Sequence, residues 1–203
     1  MSTTGRIRSR TVSAVVALAL LVAAPRALSG QGATPTPVRA ENAAGFKEFA
    51  DRVKTYLQLR KTVESNLPAL KSTDLPEMIT AYQQALARKI REARPHAKPG
   101  DIFTHAASEA FGHVIRAALA GPTSSKSRAY MQPDSASADM RLSVNGIYPE
   151  TEPITTISPE LLAAFPPLPV ELAYRVVGRS LLLVDVKSRL IVDVARQVLP
   201  PAS

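Results

Sequence analysis

The chain has 203 residues, no cysteine and no tryptophan, with 25 Lys and Arg against 17 Asp and Glu for a formal net charge of +8. Without cysteine it has no disulfides, thiolate metal centres or thiol nucleophiles, so stability has to come from packing. The basic excess suits solubility and a loose attraction to anionic surfaces such as envelope polymers.

The N-terminus reads as an export leader. Arg6, Arg8 and Arg10 come without an acid, and the run from Thr11 to Ala24 is almost wholly small or aliphatic, the layout of a bacterial signal peptide. That run is shorter than the roughly 20 residues a spanning helix needs, and Pro25 and Arg26 break it. The expected signal peptide is residues 1–29, cut after Ser29 behind Ala27-Leu28, with no transmembrane anchor left after cleavage. There is no adjacent arginine pair for folded export and no cysteine for lipidation. Losing Arg6, Arg8, Arg10 and Arg26 lowers the net charge from +8 to +4. The destination is the periplasm or the exterior, where nucleic acid is a poor partner.

Residues 30–41 are Gly, Thr, Pro and Ala in the main and read as a flexible linker. A single domain follows over 42–203, helical over 42–120. Phe46, Phe49, Val53, Tyr56, Val63 and Leu67 recur at three- and four-residue steps, the signature of one buried helix stripe; Leu67-Pro68 ends it. A second helix is expected to be capped by Asp74, with Glu77 reaching back and Pro76 in the first turn. Its stripe is Ile79, Tyr82, Leu86, Ile90 and Ala93, and the short connection favours an antiparallel helical hairpin. After the break at Pro95 to Gly100, residues Ile102, Phe103, Ala107, Phe111, Val114, Ile115 and Ala118 form the buried side of a third helix that stops at Gly121-Pro122.

Residues 121–141 show no period and read as a long loop. From 142 onward the chain is β-rich. Leu142 to Tyr148 looks extended, with a turn or bulge at Asn145-Gly146. Ser158 and Pro159 open a short helix that Pro166-Pro167 stops. In the last stretch, a three-residue turn at Lys187-Ser188-Arg189 sets Val186, Val184 and Leu182 opposite Leu190, Val192 and Val194, one face without a polar residue. Two- or four-residue turns put Asp193 on that face, and the cost of burying a bare carboxylate argues against them. A three-residue loop at Gly178-Arg179-Ser180 aligns Leu172, Tyr174 and Val176 with the same face. The expected fold is therefore α+β, with an N-terminal antiparallel helical hairpin and a third helix packed on a C-terminal antiparallel β-meander.

The order Leu168-Pro169, Tyr174-Arg175-Val176-Val177-Gly178, Leu182-Leu183-Val184-Asp185 and Leu190-Ile191-Val192 resembles the C-terminal β module of the RcnB family of small periplasmic proteins, over about thirty residues. The resemblance implies a β module of that kind and a link to nickel and cobalt homeostasis. The chain departs from the family in having three histidines and no histidine-rich linker.

Candidate sites are few. His105, Glu109 and His113 share one helix face at four-residue spacing, which suits a divalent transition metal. His105 and His113 lie about 12 Å apart along the axis, so one ion takes two of the three. The stripe points away from Phe111, Val114 and Ala118, and it reads first as a solvated polar face. Arg60 falls on the apolar stripe of the first helix; it is either half of an ion pair with Asp185 or Asp193, placed on the less apolar side of the meander, or an anion-binding arginine. Arg88, Lys89, Arg91, Arg94 and Lys98 are a basic cluster that offsets a helix dipole or touches anionic lipid or glycan. Glu150 and Glu152 sit in a Pro-rich stretch and read as solvating carboxylates. There is no Gly-x-Ser-x-Gly, His-Glu-x-x-His, phosphate loop or dinucleotide fingerprint. The reading in front is a non-enzymatic exported module that binds a protein or an envelope component through its hairpin or the meander edge, with no cofactor. A periplasmic metal-binding or metal-homeostasis protein is second, an enzyme of undefined type third.

Overall fold

The computed structural model describes residues 37–70, 75–120, 142–149 and 157–200, all within one unit, Pro35–Ser203. The expected leader, the 121–141 loop and the Glu150–Glu152 segment lie outside the described residues.

Helix α1 spans Pro37–Ser65. It starts inside the stretch expected to be linker: Pro37 is tolerated in a first turn, and the alanines, arginine and glutamate that follow are strong helix formers. Phe49, Val53, Tyr56 and Arg60 are buried along it. Helix α2 spans Pro76–Ala93 with Leu75 at the N-cap; Asp74, the expected cap, lies outside the described residues. Leu86, Ala87 and Ile90 are its buried residues; Ile79 and Ala93, the ends of the expected stripe, are exposed. Tyr82 of α2 bonds Glu64 while Arg94, just past its end, lies over Tyr56, so α1 and α2 run antiparallel.

Helix α3 spans His105–Ala120, three residues later than the apolar pattern places it. Ile102 and Phe103 are buried but sit in the approach to the helix, with Thr104 taking the Ala107 amide on its hydroxyl. Its main partner is α1, and Gly45 fixes how near the two helices come. A Cβ there would overlap the Ala106 carbonyl and come within 3.1 Å of the Ala110 Cβ. Phe111 then reaches a nest of rings, with centroids 5.1 Å from Phe46 and Phe49, 5.3 Å from Phe103 and 4.8 Å from Phe165. All four meet it edge-on, the arrangement ring quadrupoles favour. The chain's five phenylalanines thus join α1, α3 and α4, the short helix Pro159–Ala164. Ser158 caps α4 by accepting the Leu161 amide, and Pro166-Pro167 follows its end.

Strands β1 (Leu172–Val177), β2 (Ser180–Asp185) and β3 (Ile191–Ala195) form an antiparallel meander in the order β1-β2-β3. The register differs from expectation at both turns. β1 and β2 meet through a two-residue loop, Gly178-Arg179, that pairs Val177 with Ser180 and Leu172 with Asp185. Gly178 has φ 56°, as the first position of a type II′ hairpin turn requires. Between β2 and β3, Leu182 faces Val194 as expected, but a bulge after Leu183 pairs Val184 with Ile191 and leaves Val192 as the extra residue. The Asp185 amide donates to the Leu190 carbonyl, so Val186 to Arg189 make a four-residue turn.

The physical reason is that this sheet has no polar face. Leu172, Tyr174, Val176, Leu181, Leu183, Leu190 and Val192 join the helix-side core. Val177, Leu182, Val184, Ile191 and Val194 pack with Tyr148 on the other side, against Leu142 and Val144. Segment 142–149 covers that second face: Ile147 bridges Leu190, and Asn145, at φ 65°, makes the turn. With both faces apolar, hydrophobicity cannot choose a register.

Candidate functional site

Two features are built from polar groups the packing brings together. The first is the Arg60 network. Asp185 is fully buried and lies on the helix side of the sheet, not on a less apolar side. It accepts from Arg60 Nε at 2.6 Å, Tyr56 Oη at 3.0 Å and the Ser188 amide at 2.8 Å. Arg60 Nη1 donates to Glu64 Oε2 at 2.6 Å, and Glu64 Oε1 takes Lys187 Nζ at 2.6 Å and Tyr82 Oη at 3.2 Å. Two cations and two carboxylates alternate from the sheet to the surface. Burial works against the Glu64 carboxylate, yet the hydrogen bond from Lys187 and the charges of Arg60 and Lys187 overcome it and hold the group below its usual range. Burial, then the Asp185 charge, pushes the Tyr56 hydroxyl well above its ordinary value. Every member is engaged, so the network clamps α1 and α2 to the β2–β3 turn.

Asp193, the other partner considered for Arg60, is committed elsewhere. Fully buried, it accepts the amides of Gly100, Ile102, Phe103 and Val194 at 2.6–3.0 Å. Burial pushes its carboxyl above the ordinary value against the pull of these four bonds. The carboxylate fixes the approach to α3. Register reasoning that treated it as a bare charge missed these donors, three of which lie some ninety positions earlier in the chain.

The histidine stripe does not converge. His105 is 90% exposed and lies 3.4 Å from Glu109; His113 Nδ1 meets Asn42 Oδ1 of α1 at 2.9 Å. Among the described residues no three His, Asp or Glu side chains gather as a metal site would. The basic cluster is partly spent inside the fold. Arg91 donates to the Asn145 carbonyl and Arg94 to the Val192 carbonyl, and Lys89 pairs with Glu92. No helix among the described residues is long and apolar enough to cross a membrane.

The second feature, which sequence reasoning did not locate, is a groove of about 840 Å³ between α4 and β1. Ile157, Leu162, Phe165, Leu168 and Leu172 line it, Pro166 and Pro167 form a wall without N–H groups, and among the described residues Arg175 is its one charged side chain. Tyr174 Oη donates to the Pro166 carbonyl at 3.0 Å, holding the proline wall to the strand. Leu162 is 50% exposed and Val170, beside the strand entry, 91%.

The groove runs along the outer edge of the sheet. The Val186 amide donates to the Glu171 carbonyl, so Glu171 and Val186 are a bonded pair. Alternation makes Ala173 and Arg175 the next residues bonded to β2 and turns the peptide groups of Leu172, Tyr174 and Val176 outward. Two contacts agree. The Leu172 amide donates to the Pro169 carbonyl, and Arg175 Nη1 donates to the Tyr174 carbonyl at 2.9 Å. Among the described residues no strand pairs with this edge. The site is thus an apolar trough beside an open strand in an α+β domain. The chain matches no family model, no curated protein and no solved structure.

Proposed function

We propose that this is an exported, non-enzymatic binding module, and that it holds its partner in the groove between α4 and β1. The observation that carries this reading is the conjunction of exposed apolar side chains, Leu162 and Val170, with a strand edge along one trough that no other strand among the described residues pairs with. Exposed apolar surface rimmed by polar groups marks interaction sites, and a bare strand edge is usually protected unless it is used. Export is supported by the basic N-terminus and its apolar run. The likeness of residues 168–192 to the RcnB-family module points to the same compartment. The polar clusters elsewhere in the described fold are consumed by structural bonds, which favours binding over catalysis.

A photocrosslinking residue in place of Val170, introduced in cells that make the protein, tests the reading. It should capture one defined protein, and Leu162→Glu should abolish the capture while leaving circular dichroism unchanged. The same residue in place of Lys54, exposed on α1, should capture nothing. Equal capture from both positions, or capture insensitive to Leu162→Glu, would overturn it.

A further inference from the structure

Resting on that reading of the groove, we propose that the partner enters as an extended strand added to the outer edge of β1, carrying a carboxylate opposite Arg175. The trough and the strand edge make different demands on an occupant. Apolar side chains satisfy Ile157, Leu162 and Leu168, and so would a lipid tail. The outward amides of Tyr174 and Val176 need acceptors that a hydrocarbon lacks and a peptide backbone supplies. Strand addition meets both demands at once, because alternate side chains of an added strand point into the trough while its backbone pairs with β1. The proline wall offers carbonyls but no N–H groups, so backbone pairing falls to β1.

Arg175 supplies the charge preference. Among the described residues it is the one charged side chain lining the groove, and its guanidinium bonds the Tyr174 carbonyl, an acceptor that an added strand would need. Basic side chains on edge strands protect them from indiscriminate pairing. A carboxylate on the incoming strand draws the guanidinium away in a stronger, charge-assisted bond and frees the carbonyl. A basic strand cannot do so and meets like charge. Arg175 is thus a positioning and specificity residue for an acidic, β-forming peptide.

The test uses the purified protein and capped peptides that alternate valine and threonine around a central aspartate, with fluorescence anisotropy for affinity and amide exchange by NMR for geometry. Replacing the aspartate by lysine should weaken binding by at least about ten-fold, the worth of one charge-assisted hydrogen bond. N-methylating alternate peptide amides on the pairing edge should weaken it as much. Arg175→Glu should reverse the order of the two peptides, a result that loss of fold cannot produce. In the complex the Tyr174 and Val176 amides should become protected. If the N-methylated peptide binds as well as its parent, strand addition is wrong while groove binding stands. Equal affinity for the aspartate and lysine peptides overturns the role of Arg175. If no peptide binds but dodecanoate shifts the Leu162 and Leu172 methyl signals, the occupant is a lipid chain. If the protein instead self-associates with the same amides protected, the added strand is a second copy. If no probe perturbs the groove, the binding reading itself falls.

Discussion

Changing Asp185 to asparagine alters one atom and removes one charge, at a side chain fully buried from solvent. The carboxylate now serves three donors, Arg60 Nε, Tyr56 Oη and the Ser188 amide, and an amide has a single oxygen with which to serve them. At least one donor is left facing an NH₂ group, a cost of about 1–3 kcal/mol for a buried polar group. Arg60, whose side chain is 7% exposed, also loses one of its two carboxylates. Removing one partner of a buried pair costs about 3–5 kcal/mol. Because Glu64 still holds Nη1 at 2.6 Å, the expected loss lies at the lower end, about 3 kcal/mol of the roughly 5–15 kcal/mol available to a domain. Arg60→Met strands a carboxylate instead and should cost a similar amount. The double variant has no stranded charge on either side, so it should lose no more than Asp185→Asn alone, giving a coupling of about 3 kcal/mol. Urea unfolding of the four proteins, followed by far-ultraviolet circular dichroism with a shared m-value, measures it. Strictly additive losses, or a loss under about 1 kcal/mol for either single variant, would refute the idea that the pair is mutually dependent.

Three further outcomes are expected. Gly45→Ala places a methyl group against the Ala106 carbonyl, so α1 and α3 must move apart. It should destabilise by about 1–3 kcal/mol although alanine is the better helix former by about 1 kcal/mol, and a stability gain by thermal unfolding would contradict the close approach. Asp193→Asn can keep acceptors for only part of the four amides and should cost about 2 kcal/mol or more, with faster hydrogen exchange at Ile102 and Phe103; unchanged exchange there would count against it. The pH dependence isolates Glu64. Its folded pKa lies below the ordinary value of 4.5, so it binds fewer protons folded than unfolded, and its stabilising contribution is complete above about that pH and lost as pH falls through the folded value. Asp193, whose folded pKa is raised, acts with the opposite sign, but it is common to wild type and Glu64→Gln and drops out of the difference. The stability gap between the two should be flat above about pH 4.5 and narrow below it; a gap that widens on acidification would sink this account.

Much of the architecture was legible in the sequence because it rests on periodicity. The three- and four-residue recurrence from Phe46 to Leu67 marks α1, and the β-branched and aliphatic runs after Glu171 mark the meander. Register was not legible, because the usual reasoning needs one wet face. Leu182 and Val184 are buried on one side of the sheet, and Leu181 and Leu183 on the other, so alternation carries no information. The carboxylate test then misled, since three of the four amides that satisfy Asp193, those of Gly100, Ile102 and Phe103, come from a loop that no local pattern connects to it. Arg60 was conspicuous as a cation on an apolar stripe, but its pairing with Asp185 and not Asp193 goes with the Gly100, Ile102 and Phe103 amides that occupy Asp193, and these no sequence pattern announces. The groove left no signal of its own. It arises where Pro166-Pro167 brings α4 alongside β1, and its makers read separately as a helix stop and a strand entry.

The buried carboxylates also bear on when the shape can set. Asp185 and Asp193 lie near the C-terminal end of the 203-residue chain, and they hold Tyr56, Arg60 and the Gly100–Phe103 stretch across separations of 90 to 129 positions. Contacts so distant along the chain form late and slowly. A nascent chain, made from its N-terminus, therefore carries its helices for most of its synthesis without the acceptors that lock them. Such a polypeptide stays pliant through most of its synthesis and hardens only once its last strands have been made.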